Sequence, residues 1–145
     1  MGDGAALADR IAERRAGVGD PGALVGELRR ALVLVPYDRG GLWTAEFGGI
    51  RWVCGFTDEA ALARFAEERA VVDGAEDASR SWEYAAFRGA RLLDEVIPAM
   101  GVPAGVAVNV ADPDGSMLFP PVVGIVPDAV AVDADADVPG GGRGL

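Results

Sequence analysis

Between residues 50 and 66 the spacing of apolar positions changes period. Ile50, Trp52, Cys54 and Phe56 stand at alternate positions, as in a strand with one buried face, and Leu62, Phe65 and Ala66 then recur at helical spacing. The change falls at Thr57-Asp58-Glu59. The Thr57 hydroxyl is placed to accept from the open N–H groups of a first helical turn, and the two acids suit the positive end of the helix dipole. The stretch therefore reads as a buried strand running straight into a helix over residues 58–69.

The same patterning extends in both directions. Leu7, Ala8, Ile11 and Ala12 share one face of a helix over residues 5–16, which closes near Gly17 and either docks on the rest of the chain or lies free. Asp20-Pro21 is a cap followed by proline at the first helical position, and Leu24, Val25 and Leu28 face inward in the helix it starts. The continuous run Leu32-Val33-Leu34-Val35 predicts an interior strand covered on both faces and ended by Pro36. Gly48-Gly49 is a two-residue loop able to take positive φ angles, so residues 42–47 and 50–57 predict a hairpin whose register follows from the turn. Phe47 then faces Ile50, Ala45 faces Trp52 and Trp43 faces Cys54 on the core side, while Glu46 faces Arg51 on the other.

Residues 71–81 read as a mobile polar surface loop, and Trp82 to Arg88 as a strand. Leu92, Leu93, Val96, Ile97 and Met100 lie on one face of a core helix ended by Pro98 and Gly101. Gly105 to Val110 predicts a strand with three valines on one face, Asp112-Pro113-Asp114-Gly115 a turn, and Ser116 to Phe119 a short returning strand. After Pro120-Pro121, the runs 122–126 and 129–132 belong at a sheet edge or packed on the outside. Together these elements predict an α/β (α+β) fold: a single small mixed sheet with a central β-hairpin, packed by about three to four helices.

Composition narrows the chemistry. The chain has 145 residues and a formal net charge of -10, with no His, Lys or Gln and the single Asn109. That field repels phosphate backbones and anionic membranes, so neither nucleic acid nor membrane is an expected partner. The missing residue types remove Ser-His-Asp and Cys-His pairs, the phosphate-loop lysine, Schiff bases and His-containing zinc sites. Cys54, the lone cysteine, lies on the apolar face of its strand and reads as a core residue. Asp133, Asp135 and Asp137 begin like a calcium loop, but Val138 stands where Gly is needed and Gly144 where the bidentate Glu belongs. The sequence thus points to no catalytic residue, metal or cofactor. Glu46, Asp58, Glu83, Asp94 and Glu95 fall at a helix start or on solvated faces. The residues 1–25 carry no continuous apolar run of the secretory kind, and a cytoplasmic protein is expected.

The order of a helix, Leu32-Val33-Leu34-Val35-Pro36, a hairpin ending in Gly55-Phe56-Thr57-Asp58-Glu59-Ala60-Ala61-Leu62, then Phe87-Arg88-Gly89-Ala90-Arg91-Leu92-Leu93 and Val108-Asn109-Val110-Ala111-Asp112-Pro113 resembles the SseB N-terminal domain family of bacteria over about residues 22–125. The phrase at Phe56-Thr57-Asp58 is similar to the family's Val-Phe-Thr-Asp. The family's Asn-Pro-Gly after a late strand is replaced by Asn109-Val110-Ala111-Asp112-Pro113. The resemblance implies a non-enzymatic SseB-like domain at residues 21–132, preceded by a helical extension at 1–20 and followed by an acidic, Gly-rich disordered tail at 133–145. It brings no catalytic residues. An accessory or regulatory module that binds another protein is the leading expectation, with Arg80, Trp82, Glu83 and Tyr84 as contact residues beside the polar loop. A secretion-associated adaptor or toxin-immunity protein is a narrower form of it, and the Arg-only basic residues are similar to the usage of GC-rich genomes. A second copy of the chain is a further candidate partner. The alternative is a small-ligand or carboxylate-based enzyme domain with a pocket between the helix of residues 90–97 and the sheet.

The junction of strand and helix is the position most exposed to test. Phe56 and Phe65 should close one core from the two sides of Thr57, so Phe65→Ala should cost on the order of 3–5 kcal/mol, whereas deleting residues 134–145 should leave stability unchanged. Denaturant midpoints of the two variants against the parent chain decide it, and a Phe65→Ala midpoint equal to the parent's places the core elsewhere.

Overall fold

The computed structural model describes residues 3–38, 41–72 and 83–134. It is a mixed α+β fold of seven short strands and four main helices among those residues. Helix α1 is Asp3–Arg15, α2 is Pro21–Arg30, and strands β1 to β4 are Leu32–Asp38, Gly41–Leu42, Thr44–Phe47 and Ile50–Gly55. Helix α3 is Glu59–Val72 and β5 is Tyr84–Arg88. Helix α4 spans residues 89–99, β6 is Ala104–Val108 and β7 is Met117–Phe119.

The strands form two sheets, β2-β1-β5 and β3-β4-β6-β7, with β4 parallel to β6 and every other pairing antiparallel. Leu34 and Phe56 bridge them with two backbone hydrogen bonds of 2.8 Å, so the single sheet expected from the pattern is two short sheets stitched at one residue pair. One face carries Leu7, Ile11, Leu24, Leu28, Val33, Val35, Val53, Leu92 and Val106. The other carries Trp52, Cys54, Phe56, Ala61, Leu62 and Phe65 under α3. Leu7 and Ile11 are fully buried, so α1 docks, and Arg15 donates to the carbonyls of Ser116 and Pro113 at 2.9 and 2.8 Å. Residues 135–145 of the expected disordered tail lie outside the described residues, as do 73–81 of the expected mobile loop.

The hairpin adopts the register its turn dictates. Gly48 and Gly49 sit at φ 66° and 82°, a backbone that favours glycine, and Ala45–Trp52, Glu46–Arg51 and Phe47–Ile50 are paired. The Glu46–Arg51 ion pair forms at 3.5 Å. Trp52 lies between Ala45 and Gly105, where a Cβ would come within 2.8 Å of its ring. Two expectations fail at the hairpin's ends. Pairing stops at Thr44–Val53, so Trp43 is not opposite Cys54; its N–H donates to Pro36 and its ring meets Phe65 edge-on at 5.0 Å. Phe47 is 73 % exposed because the tip projects past the covering layers.

β1 also departs from the pattern. Val33 and Val35 are fully buried on the α2 and α4 side, but Leu32 is 40 % exposed, and the strand runs through Pro36 to Asp38. Tyr37 donates to Glu83 on the β5 edge and Leu34 to Phe56 on the opposite one, so the Pro36 nitrogen falls on the Phe56 edge. There the neighbour is Trp43, which donates to Pro36 rather than accepting, and no ladder bond is lost. Pro98 likewise does not end α4. The turn Leu92–Val96 is a π-helix in which Ile97 N–H reaches back to the Leu92 carbonyl, which opens the helix ahead of the proline ring. At the start of α4, a Cβ on Gly89 would stand 1.8 Å from the Leu28 carbonyl oxygen, so only glycine lets α2 and α4 meet.

The α3 cap is Asp58, not Thr57. Asp58 Oδ1 accepts from Ala61 N–H at 2.8 Å, and the helix continues past the expected residue 69 to Val72. Thr57 instead pairs with Asn109: its N–H donates to Asn109 Oδ1 at 3.0 Å, and Asn109 Nδ2 donates to Thr57 Oγ1 at 3.1 Å. Asn109 is 5 % exposed and has φ 53°, which ends β6 at Val108 and leaves Val110 outside the expected valine face. The runs after Pro120-Pro121 pack outside the sheet, where Val126 is buried and the Asp133 carboxylate accepts from Val123 N–H at 2.8 Å.

Asn109→Ala removes both side-chain hydrogen bonds and puts a Cβ-only residue in the left-handed region. It should cost about 2–4 kcal/mol, and Asn109→Gly, which relieves the backbone term alone, should recover about 1 kcal/mol of that. Denaturant unfolding of the two variants measures the split; equal losses mean that the backbone angle carries no cost.

Candidate functional site

Two surfaces of the described residues carry recognition chemistry. The first is β5, the last strand of its sheet. Of the expected contact residues, Arg80 and Trp82 lie outside the described residues, and Glu83 and Tyr84 are exposed at the start of this strand. Glu83 is pinned by its carbonyl, which accepts from Tyr37 N–H at 2.8 Å. Because Glu83, Ala85 and Phe87 turn their backbone groups toward β1, those of Tyr84 and Ala86 turn outward. They take no backbone partner among the described residues. The Tyr84 hydroxyl donates to Glu59 Oε2 at 2.6 Å, which fixes the ring against the first turn of α3. Holding the proton for Glu59 raises the Tyr84 pKa above the ordinary phenol value.

The second surface is a cleft of about 440 Å³ between α4 and the strands, in the place where the sequence put a pocket. Val53, Phe87, Val96 and Met100 supply apolar walls, Leu42 closes the β2 end, and Thr44, Arg91 and Glu95 bring the polar atoms. Residues one helical turn apart share a face, so Arg91 and Glu95 stand together at the rim, Nε to Oε1 at 3.2 Å. Arg91 was missed as a site residue; its signal was the four-residue spacing to Glu95 combined with the apolar positions Leu92, Leu93 and Val96 on the neighbouring face.

The other carboxylates singled out from the sequence are not gathered. Glu46 pairs with Arg51, Asp58 caps α3, and Asp94 is held bidentate by Arg29 at 2.6 and 3.2 Å, a hydrogen-bonded pairing that keeps its carboxyl below the usual range. Among the described residues no three His, Cys, Asp or Glu side chains are grouped to hold a metal ion. Cys54 is buried in the α3-side core, and burial pushes its thiol up to about 12. A thiol so placed is neither a nucleophile nor a ligand at neutral pH. Comparison of the chain with protein-family models, with curated proteins and with solved structures gives no match in any of the three.

Two of the perturbed groups, Tyr84 and Cys54, are directly observable. The Tyr84 pKa is raised, so the hydrogen bond to Glu59 is complete below the ordinary phenol value of about 10 and is lost as pH rises through the higher folded value. In a spectrophotometric titration, the phenolate component that disappears in Tyr84→Phe should ionise above about 10. A component at or below that value would mean that the Glu59 contact does not form in solution. Cys54 should resist a thiol reagent at pH 8 in the folded protein and react at once in denaturant.

Proposed function

We propose that the chain is a non-enzymatic binding module of the SseB-like kind it resembles, acting as an accessory or regulatory domain that takes another protein along the open edge of β5. The outward backbone groups of Tyr84 and Ala86 carry this reading. An unpaired strand edge is a template for an extended segment, whose main chain supplies the affinity while side chains beside it supply selectivity. Tyr84, braced by Glu59, and the exposed Glu83 are those side chains. The net charge of -10 favours a basic partner segment. Among the described residues no helix is long and apolar enough to cross a membrane. We place the module in the cytoplasm, where a lone thiol is at home. A secretion-associated adaptor or an immunity protein is the narrower form of this role.

The small-ligand alternative draws support from the 440 Å³ cleft at α4. Its enzymatic form has less behind it, since among the described residues Glu95 is the one carboxylate lining that cleft and is paired with Arg91.

Ala86→Pro tests the protein-binding role. It deletes an outward N–H without touching the β1 ladder, a place where edge strands accept proline. After crosslinking in lysate of the native host, a protein captured by the parent chain should be absent with Ala86→Pro, and the variant should unfold within about 1 kcal/mol of the parent. Capture of the same protein by both excludes the β5 edge, and a parent chain recovered alone removes the protein-binding role.

A further inference from the structure

The geometry points to the α4 cleft as a binding site for a free α-amino acid with a large apolar side chain, a site separate from the β5 edge and independent of the protein-binding role. A volume of about 440 Å³ lies near the lower end of the range for small-molecule pockets, about 300–1,000 Å³. Buried Val53, half-buried Phe87 and Val96, and Met100 make the interior apolar, and a thioether adapts its shape to what enters.

The rim supplies the head-group chemistry. Arg91 uses Nε on Glu95 Oε1, and among the described residues its two Nη groups and Glu95 Oε2 make no other hydrogen bond. One planar donor edge and one carboxylate oxygen therefore stand side by side at the mouth of an apolar cleft. A carboxylate pairs with the guanidinium edge and an ammonium with the carboxylate oxygen. A ligand carrying both, one carbon apart, satisfies the rim while its side chain enters the cleft. Charge separates this ligand from its simpler relatives. A bare apolar acid meets the field of a chain with net charge -10, and a bare amine meets Arg91, whereas a zwitterion carries no net charge against either.

Isothermal titration calorimetry of the full chain with L-phenylalanine and L-leucine tests the site. N-acetyl-L-phenylalaninamide lacks both charges, 3-phenylpropionate lacks the ammonium and phenethylamine lacks the carboxylate. Saturable heat is expected with the two amino acids, with each truncated probe bound at least about tenfold more weakly. Arg91→Gln and Glu95→Gln change exposed side chains on a helix surface, so both variants should keep the parent's far-ultraviolet circular dichroism and lose about tenfold or more in affinity. Absence of heat with both amino acids overturns the proposal. So does equal binding of the N-acetyl amide, which would make the cleft a seat for a protein side chain, or binding unchanged in Arg91→Gln.

Discussion

The structure turns on one buried amide. Asn109 sits at the end of β6, beside the end of its parallel partner β4, and its side chain closes both hydrogen bonds with Thr57 while its N–H donates to the Gly55 carbonyl at 2.9 Å. Parallel strands leave their last backbone groups open where the chains diverge, and a buried group left open costs about 1–3 kcal/mol. Asn109 fills that gap from a left-handed backbone that asparagine tolerates better than most residues. Because Thr57 is spent on this pair, the capping of α3 passes to Asp58. Because the strand end is held there, Phe56 can leave the β4 ladder and bridge to Leu34, joining the two sheets.

How much of this was legible depended on whether the deciding partner was local. The hairpin register could be read from Gly48-Gly49 and the Glu46–Arg51 pair, because a two-residue turn leaves no freedom. Asp20 as a cap could be read for the same reason, and its carboxylate does accept from Ala23 N–H at 2.9 Å. Thr57 against Asp58 could not, since both are good caps and a residue 52 positions away made the choice. The Leu32–Val35 run was ambiguous in another way: periodicity shows that residues are apolar, but the extent of cover over Leu32 is set by where α3 lies. Pro36 and Pro98 both look like stops in the sequence, but one costs no ladder bond and the other is accommodated by a π turn.

The candidate surfaces divide in the same manner. A pocket between the helix of residues 90–97 and the sheet is only one of the alternatives the sequence leaves open, because periodicity marks an apolar face without showing where its cover stops. Its hairpin wall, with Leu42 and Thr44, depended on β2 folding back on β1. Tyr84 was legible as an exposed aromatic. Its anchor was not, because Glu59 lies 25 residues earlier and reaches Tyr84 only once α3 crosses the sheet.

An open edge is also a hazard, and the remaining edges show how this chain contains it. β2 and β7 are two and three residues long, too short to template a stable ladder, and β3 carries the charged Glu46 beside Arg51. β5 has five residues and two alanines, with Arg88 at its far end donating to the Arg30 carbonyl at 2.7 Å. Glu83 and Arg88 stand at the two ends of that stretch, and the charge of the molecule as a whole adds to what they do. Two copies approaching edge to edge bring two charges of -10 together, which opposes self-pairing at low salt and weakens as salt screens it. Under the proposed protein-binding role, the same field would favour a basic segment at β5, so the charge that keeps copies apart would also select the partner.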